Sequence, residues 1–320
     1  MMTMRRLLTL LSFALCFAAA ALPARADDVL AAPGQPAWTR TYGNLTVARY
    51  GGNGGPALIL VPGLSSGPWT WYDFIRRDAG KHAIYAVTVA GMDGVPVDPT
   101  PSLTESVQSI VALIAGEKID RPVLIGHSMG GSIALRFGTQ HAALVRGVVS
   151  VDGMPVFPGT EQLTPDQRAA SAKQAAERIL ATTPDQYASY EKALVADYVT
   201  DPALAARVAA LCLLSDQKAV AAYFKDLFAE DLRAQLPSLA APTLVVSPVP
   251  GLPLPSYLPA AMAQMTLDQR RVAAVQYYSS LMIGTPTVKV VPIDNARHFV
   301  MLDQPEAFAQ AVETFVDGLK

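Results

Sequence analysis

The 320-residue chain sets 25 Lys and Arg against 27 Asp and Glu, and only 16% of its residues are charged, below the ~25% of a typical soluble domain. With no basic stripe and no acidic tail, this balance argues against nucleic-acid binding and against disorder. The length accommodates one large α/β domain or two smaller ones, and is enough to bury a core without covalent staples.

The N-terminus has the pattern of a processing segment. Arg5 and Arg6 open it, Leu7 to Leu22 is apolar apart from Thr9 and Ser12, and Ala24-Arg25-Ala26 is a small-x-small cleavage site. The apolar run falls short of the ~20 residues that a spanning helix needs. Residues 1–26 are therefore expected to be a signal peptide, with export to the periplasm or the medium and no stable membrane anchor after cleavage. Cleavage removes Cys16 and leaves Cys212, so no internal disulfide is expected. Cys212, inside Leu211-Cys212-Leu213-Leu214, reads as a small buried hydrophobe.

Asp27 to Pro36 reads as a loose leader. Trp38 to Thr41 and Leu45 to Tyr50 flank Gly43-Asn44 as a hairpin. The glycine cluster at 51–55 lacks a following Lys-Ser/Thr and precedes a strand, so it is a turn rather than a phosphate loop. Ala57 to Val61 is a buried strand ending in Pro62-Gly63-Leu64-Ser65-Ser66; Trp69, Trp71 and Tyr72 follow. Ala83 to Val89 is the next strand. Ser102 and Glu105 form a capping box that opens a helix to about Glu117.

The most informative stretch is Val123-Leu-Ile-Gly-His-Ser-Met-Gly-Gly131. The apolar run Val123 to Ile125 predicts a buried strand, and Ser132 to Phe137 starts a helical pattern. Between them, Gly126 and Gly130 flank Ser128 as Gly-x-Ser-x-Gly. A serine on so sharp a strand-to-helix turn needs small neighbours, and it stands at a helix N-terminus where backbone N–H groups meet developing negative charge. With strand before and helix after, this stretch resembles the nucleophile elbow of the α/β-hydrolase family.

Val145 to Val151 is another strand, ending in Asp152-Gly153. From Phe157 to about Leu236 strand patterns vanish. Thr164-Pro165, Thr183-Pro184 and Asp201-Pro202 each set a capping residue before a Pro at the first helical position, which predicts four or five helices. Pro242 to Ser247 resumes the strands, Pro248 to Pro259 is a Pro-rich loop, and a helix covers about Thr266 to Met282. Val288 to Ile293 is the last strand, and a closing helix starts near Pro305. The alternation predicts a mostly parallel, doubly wound sheet. The resemblance implies an α/β-hydrolase core over 27–154 and 238–320, with a helical cap at 155–237.

A serine hydroxyl needs a base. Of the four histidines, His127 lies inside the elbow pointing away from Ser128, and His82 and His141 sit in loops on the wrong side of their elements. His298, after the last strand, is the base expected from the resemblance. The family's commonest acid position follows the strand ending at Ser247, yet no Asp or Glu occurs from there to Leu267. Asp152, beside the Ser128 strand, is the expected acid, with Asp294 in reserve and Asp303 read as a helix cap. By position in the family, the Leu64 and Met129 N–H groups form the oxyanion hole. Trp69, Met154 and Phe157 are expected to line the pocket, and Glu161, Glu177 and Glu191 read as solvent-facing helix residues.

No metal-ligand spacing and no cofactor fingerprint is present. The expected activity is hydrolysis of a small carboxylic ester with apolar groups through an acyl-enzyme. The alternatives are a lactone or amide substrate, peptides included, or a binding protein on a hydrolase scaffold.

Overall fold

The computed structural model describes residues 29–52 and 54–319; the expected signal peptide lies outside them. Eight strands form one sheet: β1 (Trp38–Tyr42), β2 (Leu45–Gly51), β3 (Leu58–Val61), β4 (Ala83–Val89), β5 (Val123–His127), β6 (Gly147–Val151), β7 (Thr243–Val249) and β8 (Val288–Asp294). Their spatial order is β1-β2-β4-β3-β5-β6-β7-β8. The β1–β2 hairpin turns through Gly43 at φ +54°, where a left-handed backbone favours glycine. β2 also runs antiparallel to β4, and every pairing from β4 to β8 is parallel.

β3, β4, β5 and β6 are buried along their whole length, because helices cover both faces. That explains their unbroken Val, Ile, Leu and Ala runs. On one face α1 (Tyr72–Asp78) and the closing helix α10 (Pro305–Asp317) join Trp71, Phe74 and Phe308 in a single cluster with Leu60, Ile125 and Val149. On the other, α2 (Leu103–Gly116), α3 (Met129–Gln140) and α8 (Leu267–Leu281) pack Ile110, Ile133 and Tyr278 around Ile59, Leu124 and Val148. The chain leaves β3 for β4 on one side and returns to β5 on the other, so the order of strand addition reverses between the parallel β3 and β5. Ligand sites in open parallel sheets form beyond the strand ends at such a reversal.

Between β6 and β7 the chain builds four helices: α4 (Pro165–Ala181), α5 (Pro184–Tyr198), α6 (Pro202–Cys212) and α7 (Gln217–Ala229). Thr164 and Thr183 form complete capping boxes with Gln167 and Gln186, each with Pro at the helix start. The two ends of the insertion are tied together at its base. Val156 and Asp231 form an antiparallel bridge, Leu232 N–H donates to Pro155 O at 2.7 Å, and Arg168 and Arg233 both bind the Asp231 carboxylate.

Several details differ from expectation. The leader is tied down where it is described: Val29 and Leu30 are buried in the core, and Arg76 donates to Ala31 O. At Ser102 only the serine half of the capping box forms, accepting from Glu105 N–H. β7 runs on through Pro248 to Val249 beside β8. A 3₁₀ turn at Ala260–Gln264 and the short α9 (Val300–Asp303) carry too little periodicity to be seen in sequence. Among the described residues no helix is long and apolar enough to cross a membrane.

Candidate active site

Ser128 directly follows β5 with φ +52° and ψ −118°, outside the regions that ordinary residues occupy. Close packing holds it there. A Cβ on Gly126 would stand 2.0 Å from Gly130 O, and one on Gly130 would stand 2.2 Å from Val61 O. Only glycines at both positions allow the elbow to fold this tightly. Ser128 N–H donates to Val151 O at 2.9 Å, continuing the β5–β6 ladder one step past its last strand pair, His127 with Val151. That register places Ser128 and Asp152 side by side at the carboxyl edge of the sheet.

Asp152, at φ +48°, accepts from His298 Nδ1 at 2.5 Å through Oδ2. Its second oxygen, Oδ1, accepts from the Tyr278 hydroxyl. Tyr278 is buried on α8. Burial and the Asp152 carboxylate hold its phenol well above the ordinary range, so it remains an O–H donor. Both carboxylate oxygens are thus engaged, one by the imidazole and one by the phenol. With Nδ1 donating to Asp152, Nε2 of His298 is the nitrogen left to accept a proton. Among the described residues no hydrogen bond yet joins the half-buried Ser128 hydroxyl to the imidazole.

The His298 loop is braced from several directions. Asp303 accepts Arg297 N–H at 2.8 Å and both the N–H and hydroxyl of Thr200. Asp303 is therefore not the helix cap expected; Gln304 occupies the N-cap of α10. The Arg297 guanidinium donates to Ala196 O, Val199 O and Pro253 O, and Phe299 N–H donates to Tyr198 O. The Tyr198 ring lies 4.4 Å, centroid to centroid, from the His298 ring. Because α5 supplies Tyr198, the insertion helps to position the imidazole.

His127 points away from Ser128 and donates Nε2–H to His298 O at 3.0 Å. Complete burial and the neighbouring imidazole drive it well below its ordinary pKa, so it stays neutral, with Nδ1 sealed and unpartnered. Asp294, the reserve acid, is held bidentately by Arg271 and has no hydrogen bond with His298 among the described residues.

The loop after β3 lies against the serine: a Cβ on Gly63 would stand 3.2 Å from Ser128 Cβ. The N–H groups of Leu64 and Met129 have no acceptor among the described residues, the first because it lies in a turn and the second because it opens α3. Of the expected lining residues, Trp69 is buried against Phe299 and Met154 is half-buried. Phe157 packs between Phe224 and Phe228 of α7. Cys212 is buried, and its thiol is pushed well up by desolvation.

Glu177 is exposed and Glu161 accepts from Tyr277, but Glu191 is not solvent-facing as expected: it is buried on the inner side of α5. Sequence reasoning missed Tyr278, Tyr198 and Arg297. Tyr278 and Tyr198 reach the site through packing of distant elements, which no spacing marks, whereas Arg297 adjoins His298 and its role lies in partners far along the chain, Ala196, Val199 and Pro253.

A family model described as "Alpha/beta hydrolase family" matches residues 58–311. The N-formylmaleamate deformylase of Pseudomonas putida is 28% identical over 273 residues, covering 84% of this chain and 91% of that protein. The pimeloyl-[acyl-carrier protein] methyl ester esterase of Aeromonas hydrophila is 24% identical over 293 residues, covering 85% and 99%. A solved structure of a thermophilic esterase from Thermogutta terrifontis superposes with a TM-score of 0.69 at 17% identity, covering 88% of this chain and 99% of that one. At that identity the likeness speaks for the fold.

Proposed function

The chain belongs to the alpha/beta hydrolase family, and on that footing we propose that it is a serine hydrolase that cleaves small carboxylic esters through an acyl-enzyme. The observation that carries this reading is the Asp152–His298 hydrogen bond beside a strained Ser128. His298 Nε2 takes the Ser128 proton as Oγ attacks the ester carbonyl. Asp152 fixes the imidazole tautomer and stabilises its cation, and Tyr278 holds the carboxylate in place. The free N–H groups of Leu64 and Met129 receive the oxyanion. His298 then returns the proton to the departing alcohol, and a water, deprotonated the same way, releases the acid. Trp69, Met154 and Phe157 are assigned to the apolar surroundings of the acyl group, Trp69 from behind Phe299.

A methyl ester esterase among the relatives favours the ester. The deformylase supports a second reading, in which the same groups open an amide. A fluorophosphonate probe followed by mass spectrometry tests the common core: labelling is expected at Ser128, and lost in Ser128→Ala and His298→Ala. Labelling that survives Ser128→Ala refutes the mechanism, and a folded wild type that is never labelled points to a binding protein. Parallel p-nitrophenyl ester, lactone and anilide panels separate the ester from its alternatives.

A further inference from the structure

His127 is a buried titratable group to which the reaction above gives no part. It closes β5 and pairs with Val151, so the chain runs from it directly into Ser128, while its side chain turns away from that of the serine. There it is 1% exposed, its ring edge-on to Trp71 at 6.5 Å, 4.8 Å from the ring of Phe299 and 4.6 Å from that of His298, centroid to centroid. The loop after β3 closes in from another side: a Cβ on Gly63 would stand 2.9 Å from His127 Nδ1, so only glycine leaves room for the imidazole. One side chain therefore touches both the loop that carries the Leu64 N–H and the loop that carries the base, and its own backbone continues into the nucleophile.

The two ring nitrogens have opposite surroundings. Nε2 lies 3.0 Å from His298 O, which can only accept, so this nitrogen carries the proton. Among the described residues no other donor reaches that carbonyl. Nδ1 is then a bare lone pair, sealed from solvent and without a donor. Burial, reinforced by the second imidazole, keeps the ring uncharged. A phenyl ring would fill the same space without stranding a lone pair, so a role in packing alone would be better served by phenylalanine. What the imidazole adds is the Nε2–H bond, and that bond ends on the backbone of the base.

We propose that His127 is a positioning residue for the reaction, its Nε2–H pinning the His298 backbone so that the catalytic imidazole is presented to the Ser128 hydroxyl. The proposal rests on the serine hydrolase reading. Three holds then fix the base: Asp152 at Nδ1, Tyr198 at the ring and His127 at the main-chain carbonyl. Only the last comes from the nucleophile's own strand, so it ties base to serine through a single residue. Being uncharged, His127 does not oppose the cation that forms on His298, 4.6 Å away, when it takes the Ser128 proton.

The test replaces His127 in the full chain and follows p-nitrophenyl ester hydrolysis beside urea unfolding. His127→Phe keeps a ring and removes the donor; kcat is expected to fall about 10- to 100-fold with KM within about twofold, because a misplacement of about 1 Å at the reacting groups slows a reaction up to about 100-fold. His127→Gln, whose amide N–H reaches about where Nε2–H stood, should be at least about fivefold faster than His127→Phe. Fluorophosphonate labelling of Ser128 should slow in step with kcat. A merely structural role lowers the urea midpoint and leaves the kcat of the folded enzyme alone, so a folded His127→Phe with wild-type kcat, or a Gln variant as slow as the Phe variant, overturns the proposal. Should His127→Phe fail to fold, nitrogen-15 spectra of the wild-type imidazoles decide. One histidine should keep Nε2 protonated and Nδ1 bare at every pH from about 5 to about 9, a tautomer that His82, with Nδ1 against Pro56 O, does not share; its absence overturns the proposal. A wild type that neither hydrolyses esters nor takes the label removes the hydrolase reading and this proposal with it, whereas an active wild type matched by His127→Phe removes this proposal alone.

Discussion

Replacing Tyr278 by phenylalanine removes a single oxygen from the core, and its effect can be worked from the structure. The phenol donates to Asp152 Oδ1 while His298 Nδ1 donates to Oδ2. A hydrogen bond to a charged group contributes about 1.5–3 kcal/mol, and a buried oxygen left without its donor loses that in full. Stability should fall by about that amount, read as a shift in urea midpoint. If the loss falls wholly on the transition state, kcat drops roughly 10- to 150-fold, since 1.4 kcal/mol is a factor of ten. KM should hardly change, because the phenol sits behind the carboxylate rather than in the substrate's path.

A Tyr278→Phe enzyme with wild-type kcat would refute the role assigned to Tyr278, even if it proved less stable.

Asp152→Asn should lower kcat by about three to four orders of magnitude, because an amide can present the wrong partner to Nδ1–H and misdirect the tautomer. Asp294→Asn only breaks a partly exposed pair with Arg271; it should keep its activity and lose less than about 1 kcal/mol in a urea titration. Gly126→Ala drives a Cβ to within 2.0 Å of Gly130 O, so it should cost about 3 kcal/mol or more or unseat Ser128, both visible in denaturation and probe labelling. Glu230, buried beside Arg136, is pushed up to about 7 by desolvation. Its neutral form is favoured in the folded state, so it holds its protons more tightly folded than unfolded. Stability should decline by at most about 3 kcal/mol as pH rises from about 4.5 to about 7, and Glu230→Gln should flatten that slope. On export, mass spectrometry of the processed protein should find Asp27 as its first residue; a chain still starting at Met1 would contradict the signal-peptide reading.

The sequence alone determined the parts that depend on neighbours along the chain. The strand-elbow-helix at Ser128 is written in Gly126 and Gly130 because steric exclusion there is local. The helix starts in the insertion are written in Thr164, Thr183 and Asp201, since a cap needs only the next three residues. Apolar runs of strand length announced the buried sheet. Tertiary structure decided what depends on residues far apart meeting. It set Asp152 against His298 across 146 positions and left Asp294 to Arg271. It brought Tyr278 from α8 to the second carboxylate oxygen and turned Glu191 inward beside Tyr187 and Val195. Those outcomes follow from β-sheet register and helix rotation, which arise only when the whole core packs, and no spacing along the chain encodes them.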